Sequence, residues 1–296
     1  MDYSPLNYDM PLFRPPSEAR SLIFQVTFGC SWNQCGFCEM YPDKQFRAKS
    51  ETVIRQEIIE AATVLPQARK IFLADGNAMV LSFRRLQNIL NDINRAFPEV
   101  SRISTYALPQ DILSKSSSEL NQLQKNGLKL IYLGIESGDD EVLKVVNKGE
   151  TFESTRKGLL KAKQAGIKTS VMILTGLGGK KFLEPHAINS AKIVNLTQPD
   201  YLSTLVLMFP HGLNHYKKKF ADTYIPLTLE DTLREMDIFL SHTELERTVF
   251  RSDHASNYLT LKGVLSRDKN HFLGKIRNAS RDPGKADLRP EWLRGL

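Results

Sequence analysis

An unbroken alternation of short apolar runs with amphipathic segments constrains this chain more than any other feature of its sequence. Apolar runs fall at residues 21–27 (SLIFQVT), 70–74 (KIFLA), 102–107, 129–134 (KLIYLG), 168–174 (KTSVMIL) and 201–208 (YLSTLVLM). Between and after them, helical spacing marks residues 51–64, 83–97, 117–126, 151–165, 185–195 and 228–240. Ser50 stands where a helix N-cap belongs, and Gly127 and Gly166 stand where left-handed helix ends belong. Residues 248–251 read as one more strand. Six βα units in strict order predict a parallel sheet flanked by helices. The runs lack period-2 alternation, as expected of parallel strands covered on both faces. Eight units would close a full barrel. Six predict an α/β fold of the partial (βα)6-type, an open TIM barrel with short N- and C-terminal extensions. A doubly wound sheet shares the same spacing. Either architecture gathers ligands at the carboxyl ends of its strands.

Residues 1–20 and 241–296 lie outside the repeat, so the expected division is an N-terminal extension, a barrel over 21–240, and a C-terminal extension packed on it. Residues 278–290 (NASRDPGKADLRP) read as a loose tail. No run approaches the roughly 20 apolar residues needed to span a bilayer. The N-terminus, MDYSPLNYDMPLF, has no basic or apolar leader pattern, so the expected location is the cytoplasm. Net charge is +7, from 40 Lys and Arg against 33 Asp and Glu. The excess is diffuse apart from Lys217, Lys218 and Lys219, and no RNA- or DNA-binding motif accompanies it.

All three cysteines fall in one nine-residue stretch after the first apolar run: Cys30-Ser-Trp-Asn-Gln-Cys35-Gly-Phe-Cys38. An odd number argues against a disulfide framework. Three soft thiolates in one loop can occupy three corners of a metal site. Zinc would need a fourth protein ligand, to be drawn from His186, His211, His215, His242, His254 or His271. An iron–sulfur cluster held at three corners would leave one iron open to a small molecule. The chemistry of the loop alone therefore admits a catalytic cluster, an electron carrier or a structural metal module.

A three-cysteine loop after the first strand of a βα series, with the aromatic Phe37 just before the last cysteine, resembles the radical S-adenosylmethionine (SAM) superfamily. The usual spacing there is C-x3-C-x2-C. This chain carries one further residue between Cys30 and Cys35. Three more turns support the resemblance in family order. Ala74-Asp75-Gly76-Asn77 follows the second strand and is similar to the turn that receives the SAM amino group. Gly134-Ile-Glu136-Ser137-Gly138, with Val146-Asn147-Lys148 downstream, is similar to segments of coproporphyrinogen-oxidase-like and methylthiotransferase-like members. Thr175-Gly176-Leu177-Gly178-Gly179 is similar to the turn near the adenine, and Leu207 falls on the strand bordering that base.

The resemblance implies a [4Fe–4S] cluster on Cys30, Cys35 and Cys38, with SAM as cosubstrate. It implies SAM contacts from Phe37, Asp75, Gly76, Asn77, Glu136, Ser137, Lys148, Gly176 and Leu207. Glu136 would hold the ribose or methionine part and Lys148 would pair with the carboxylate. Tyr106 ends the third strand, where relatives often carry an acidic residue facing the cosubstrate, and its role there is left open. The polar segment 250–258 (FRSDHASNY) offers Arg251, His254 and Asn257 to a substrate. The expected activity is reductive cleavage of SAM to a 5′-deoxyadenosyl radical that takes hydrogen from a small or medium-sized molecule. A reduced flavodoxin- or ferredoxin-type protein would supply the electron. No cysteines remain for a second cluster.

Overall fold

A computed structural model describes residues 6–209 and 212–295. The chain divides into two compact units. The first takes residues 1–33, 38–133 and 157–169; the second takes 34–37, 134–156 and 170–296.

In the first unit, β1 (Leu22–Gln25) pairs in parallel with β4 (Lys70–Ala74). Next comes β5 (Arg102–Tyr106), and then the first part of β6 (Leu128–Glu136). A two-residue ladder joins β2 (Thr27–Phe28) to β3 (Arg47–Ala48) antiparallel. The expected run 21–27 is thus interrupted at Val26, whose N–H donates to the Ala74 carbonyl at 2.5 Å. Helices α1 (Glu51–Val64), α2 (Phe83–Ala96), α3 (Pro109–Leu113) and α4 (Ser117–Lys125) connect the strands. On α2 the buried residues Leu86, Ile89, Leu90 and Ile93 recur at helical spacing and form its inward stripe. Helix α4 opens with a reciprocal cap, in which Ser116 Oγ accepts from the Glu119 N–H and Glu119 accepts from the Ser116 N–H at 2.6 Å. Ile71, Phe72, Leu73 and Ile131 are fully buried at the strand centres. Each such side chain contributes about 1.5–3 kcal/mol by leaving water.

The N-terminal extension belongs to this core. Glu18 is fully buried and accepts from Arg102 at 2.8 Å, Ser104 at 2.9 Å and Tyr132 at 2.5 Å, with Ser21 as a fourth donor. A buried carboxylate this well partnered fixes residues around 18 against β5.

The second unit holds α5 (Asp140–Val145), β7 (Lys168–Thr175, its first two residues in the first unit), α7 (Gly179–Thr197), β8 (Tyr201–Val206), α8 (Asn214–Lys219) and α9 (Leu229–Ser241). Between α5 and β7 runs α6 (Phe152–Gln164), of which residues 152–156 lie in this unit. Strand β9 (Val249–Ser252) pairs parallel to β8, and β10 (Leu261–Val264) pairs antiparallel to β9. The C-terminal extension therefore adds strands, and α10 (Leu265–Arg281) packs on α9. The stretch read as a loose tail is held. Helix α10 runs to Arg281, the Arg289 N–H donates to the Tyr258 carbonyl at 2.8 Å, and its guanidinium bonds the carbonyls of His254 and Asn257, each at 2.7 Å.

Helix α7 begins at Gly179, six residues before the expected start, and carries Pro185 inside it. Pro reads as a helix-start signal in sequence; here it forgoes one hydrogen bond within a 19-residue helix. Among the described residues no helix is long and apolar enough to cross a membrane.

Candidate functional site

Strand ends position the candidate residues, and each unit carries its own set. In the first unit the turn after β4 anchors the flanks of the cysteine loop. Asp75 is fully buried. Its Oδ2 accepts from Gln25 and from the Gly29 N–H, each at 3.3 Å, and lies 3.5 Å from the Lys44 ammonium. Its Oδ1 accepts from the Tyr41 hydroxyl and from the Gly76 N–H. Burial and the adjacent Asp75 carboxylate push the Tyr41 phenol well above its ordinary value, so it stays a proton donor. Asn77 accepts from the Ser31 N–H at 3.0 Å and donates to Ser31 Oγ at 2.8 Å and to Asp111 at 2.7 Å. Sequence reasoning offered Asp75 and Asn77 as acceptors for SAM. In the structure they bind Gly29, Ser31 and Tyr41, on either side of Cys30 and Cys38.

Gly76 makes that joint possible. A Cβ there would overlap the Gly29 carbonyl and the Cys30 Cα, and would lie 2.8 Å from the Cys30 nitrogen. Gly76→Ala is therefore expected to push the Cys30 backbone off the β4 turn. SAM cleavage should fall about 10²-fold, the cost of a displacement near 1 Å at a reacting centre. Iron retained after reconstitution, measured beside the activity, checks this. Tyr106 sits in an aromatic cluster with Phe72 at 5.2 Å and Tyr132 at 6.1 Å between ring centroids. Burial raises its phenol pKa.

In the second unit the end of β6 builds a compact polar pair. Glu136 is 3% exposed and adopts φ 63°. Its Oε1 lies 3.2 Å from Lys148 Nζ, and its Oε2 is buried with no hydrogen-bond partner. The side chain folds back over its own strand, and a Cβ at Gly134 would overlap Oε1. Lys148 is 6% exposed. It follows Asn147, two residues beyond the last residue of α5 and in the left-handed region at φ 52°, and its ammonium stands 5.6 Å from the Phe37 ring centroid. Glu136, Lys148 and Phe37 are thus brought together. Phe37 and Leu207 also pack on one apolar cluster built on Val142, Val146, Leu174 and Leu177.

Ser137 and Gly176 are tied to a buried pair, His186, which the sequence offered only as one of six histidines for zinc, and Glu235, which it did not single out. Ser137 Oγ lies 2.8 Å from His186 Nδ1. His186 Nε2 lies 3.6 Å from Glu235 Oε1, and that same oxygen accepts from the Gly176 N–H at 2.8 Å. Burial pushes the His186 imidazole down to about 4 and the Glu235 carboxyl up to about 8. Burial thus disfavours the charged form of each. Gly176, at φ 86°, also accepts from the Tyr224 hydroxyl at 2.8 Å. The pair therefore braces the turns after β6 and β7. Forty-nine residues separate His186 from Glu235, so no local pattern announces them.

Of the candidate substrate residues, Asn257 is buried and donates to the Thr204 carbonyl at 2.8 Å. Its Oδ1 and Thr204 Oγ1 are both buried without partners. His254 is half-buried with Nδ1 3.0 Å from Ser256 Oγ, and burial lowers its pKa. Arg251 is exposed on β9, with its guanidinium on the Phe250 carbonyl.

The donor set fits the implied groups. Cys30, Cys35 and Cys38 stand outside any disulfide, and none is fully buried. The orphaned Glu136 oxygen suits a ligand donor, beside a cation suited to a ligand carboxylate. Among the described residues no three His, Cys, Asp or Glu side chains form a ready-made metal cage. His211 lies outside the described residues.

The family model described as the Radical SAM superfamily matches residues 24–185. A tRNA uridine(34) acetyltransferase of Methanocaldococcus infernus is 30% identical over 95 residues, which are 32% of this chain and 17% of that one. A tRNA-2-methylthio-N(6)-dimethylallyladenosine synthase of Chloroherpeton thalassium is 20% identical over 269 residues, 88% of this chain and 58% of that one. The chain thus spans well under two thirds of the length of these relatives. Coproporphyrinogen III oxidase from Escherichia coli superposes with a TM-score of 0.52 at 20% identity, covering 63% of this chain and 44% of that one. That likeness carries the fold, the α/β partial-barrel class expected from the strand and helix spacing.

Proposed function

The chain belongs to the radical SAM superfamily, and on that footing we propose that it is an enzyme that cleaves SAM reductively and uses the resulting 5′-deoxyadenosyl radical on a small or medium-sized molecule. The zinc or electron-carrier alternative is not favoured by that membership. The donor set carries the reading: three cysteines within the matched region, none in a disulfide. Cys30, Cys35 and Cys38 would hold a [4Fe–4S] cluster, which when bound supplies the electron that breaks the sulfonium C–S bond.

This chain's own share is to bind, orient and exclude water. Lys148 pairs with the SAM carboxylate, and Glu136 accepts from the ammonium or ribose through its open oxygen. Phe37 and Leu207 give the adenosyl part an apolar wall. Asp75 and Asn77 act one step back, by holding the flanks of the cysteine loop. Asn257 and His254 face the substrate, with Arg251 at the rim. The electron comes from a reduced flavodoxin- or ferredoxin-type protein, and the setting is the cytoplasm.

Anaerobic reconstitution followed by SAM and dithionite tests the reading. About four irons per chain and accumulation of 5′-deoxyadenosine are expected. One zinc per chain, or iron without that product, refutes it.

A further inference from the structure

Helix α8 mounts three consecutive lysines on a rigid base. Tyr216 is fully buried and its hydroxyl donates to the Leu177 carbonyl at 2.6 Å. Its ring packs tilted against Phe209 and edge-on against Tyr224, each at 4.8 Å between centroids, and Phe220 joins the cluster one turn on. That face fixes the helix. On the other side Lys218 and Lys219 are exposed and Lys217 is half-buried.

The lysines stand beside residues 34–37, the stretch of the second unit that carries Cys35. A Cβ at Gly36 would lie 3.2 Å from Lys219 Cγ and 3.4 Å from its Cε, so the aliphatic stem of Lys219 covers the residue after Cys35. The Gly36 N–H donates to the Val146 carbonyl at 2.7 Å, and the Gln34 carbonyl accepts from Asn147 at 3.2 Å. Residues 34–37 are thus clamped between the end of α5 and α8. Lys144, in the last turn of α5, is exposed as a further cation. The exposed acids of this region are Asp140 and Glu141, in the opposite, first turn of α5, and Asp222 beyond α8. The end of α5 that meets the loop therefore carries the cation and not the acids.

We infer that α8 is the docking surface for an acidic one-electron carrier protein. This rests on the functional reading above, which requires an electron to reach the cluster that Cys35 helps to hold. Transient redox encounters use small, wet, electrostatically steered interfaces. Lysine heads are compact and hydrated, and they suit attraction at a distance more than a fixed bidentate grip. The balance is one electron: the carrier flavin passes from hydroquinone to semiquinone, and the electron goes to the cluster. An acidic RNA would feel the same charge. The contact of Lys219 with the residue after Cys35 favours the carrier, because electron delivery needs nearness to that loop.

The test uses the Lys217→Glu/Lys218→Glu variant of the full chain, with a reduced flavodoxin of net negative charge as probe. Calorimetry of flavodoxin binding should show affinity weakened about tenfold or more, and the wild-type affinity should fall as salt rises from about 50 to about 300 mM. The flavodoxin concentration needed for half-maximal 5′-deoxyadenosine formation should rise by a similar factor. With dithionite, which needs no docking, the rate should match wild type. Equal loss with both reductants, or unchanged flavodoxin binding, overturns the proposal. So does lost affinity for tRNA with flavodoxin-driven turnover intact. If wild type makes no product even with dithionite, the functional reading fails, and the binding measurement still reads the surface by itself.

Discussion

Cys35→Ala is expected to abolish 5′-deoxyadenosine formation, with a drop of at least about 10³-fold, or some 4 kcal/mol of lost transition-state stabilisation. Only thiolate sulfur binds soft iron in this loop, and the chain contains no fourth cysteine to take its place. The substitution removes one sulfur and leaves the clamp on residues 34–37 in place. That clamp is made by the Gly36 N–H on the Val146 carbonyl and by Asn147 on the Gln34 carbonyl. Cys35 is half-buried, so unfolding free energy should change by no more than about 1 kcal/mol. Iron content, product formation and a denaturant melt on one preparation separate the two effects. Full turnover by the variant would remove the cluster from these three residues.

Lys148→Met should destabilise the protein by about 3–5 kcal/mol, because it strands a buried carboxylate. Glu136 is 3% exposed, and Lys148 is the cation beside it at 3.2 Å. Met keeps most of the volume of the Lys stem, so packing against Phe37 survives and the missing charge dominates. Adding Glu136→Gln should return most of the lost stability, since removing both charges of a buried pair is often nearly neutral. SAM turnover should not return in full with it, because the cation proposed for the SAM carboxylate is then absent and Gln leaves only a neutral acceptor at 136. Chemical denaturation of the three variants, set against their KM for SAM, decides this. A single variant as stable as wild type would show that the pair is solvated.

The strands and most long helices were legible because their periodicity is local. Lys70–Ala74 and Glu51–Val64 stand where the pattern placed them. Helices α5 and α8 are six residues each, too short for a 3.6-residue period to register, and α8 declared itself only as a run of lysines. Helix α7 started early because Pro185 imitates a start signal inside it. At the candidate site the residue types were legible and their partners were not. Asp75 and Asn77 read as open acceptors because Gly29, Ser31 and Tyr41 are more than thirty residues away in sequence. Glu235 gave no signal for the same reason, and His186 registered only as one of six histidines open to zinc. The docking of Arg289 on the 254–258 carbonyls was also hidden, since a Pro- and Asp-rich stretch looks unstructured until Arg289 finds three carbonyl oxygens.

One carboxylate, Asp75, receives Gly29 from just ahead of the first cysteine and Tyr41 and Lys44 from just behind the last. Both moorings of the loop are therefore made fast to a single post at the end of β4. Loss of that one carboxylate would release the chain ahead of Cys30 and the chain behind Cys38 together, while residues 34–37 would stay tied to Val146 and Asn147.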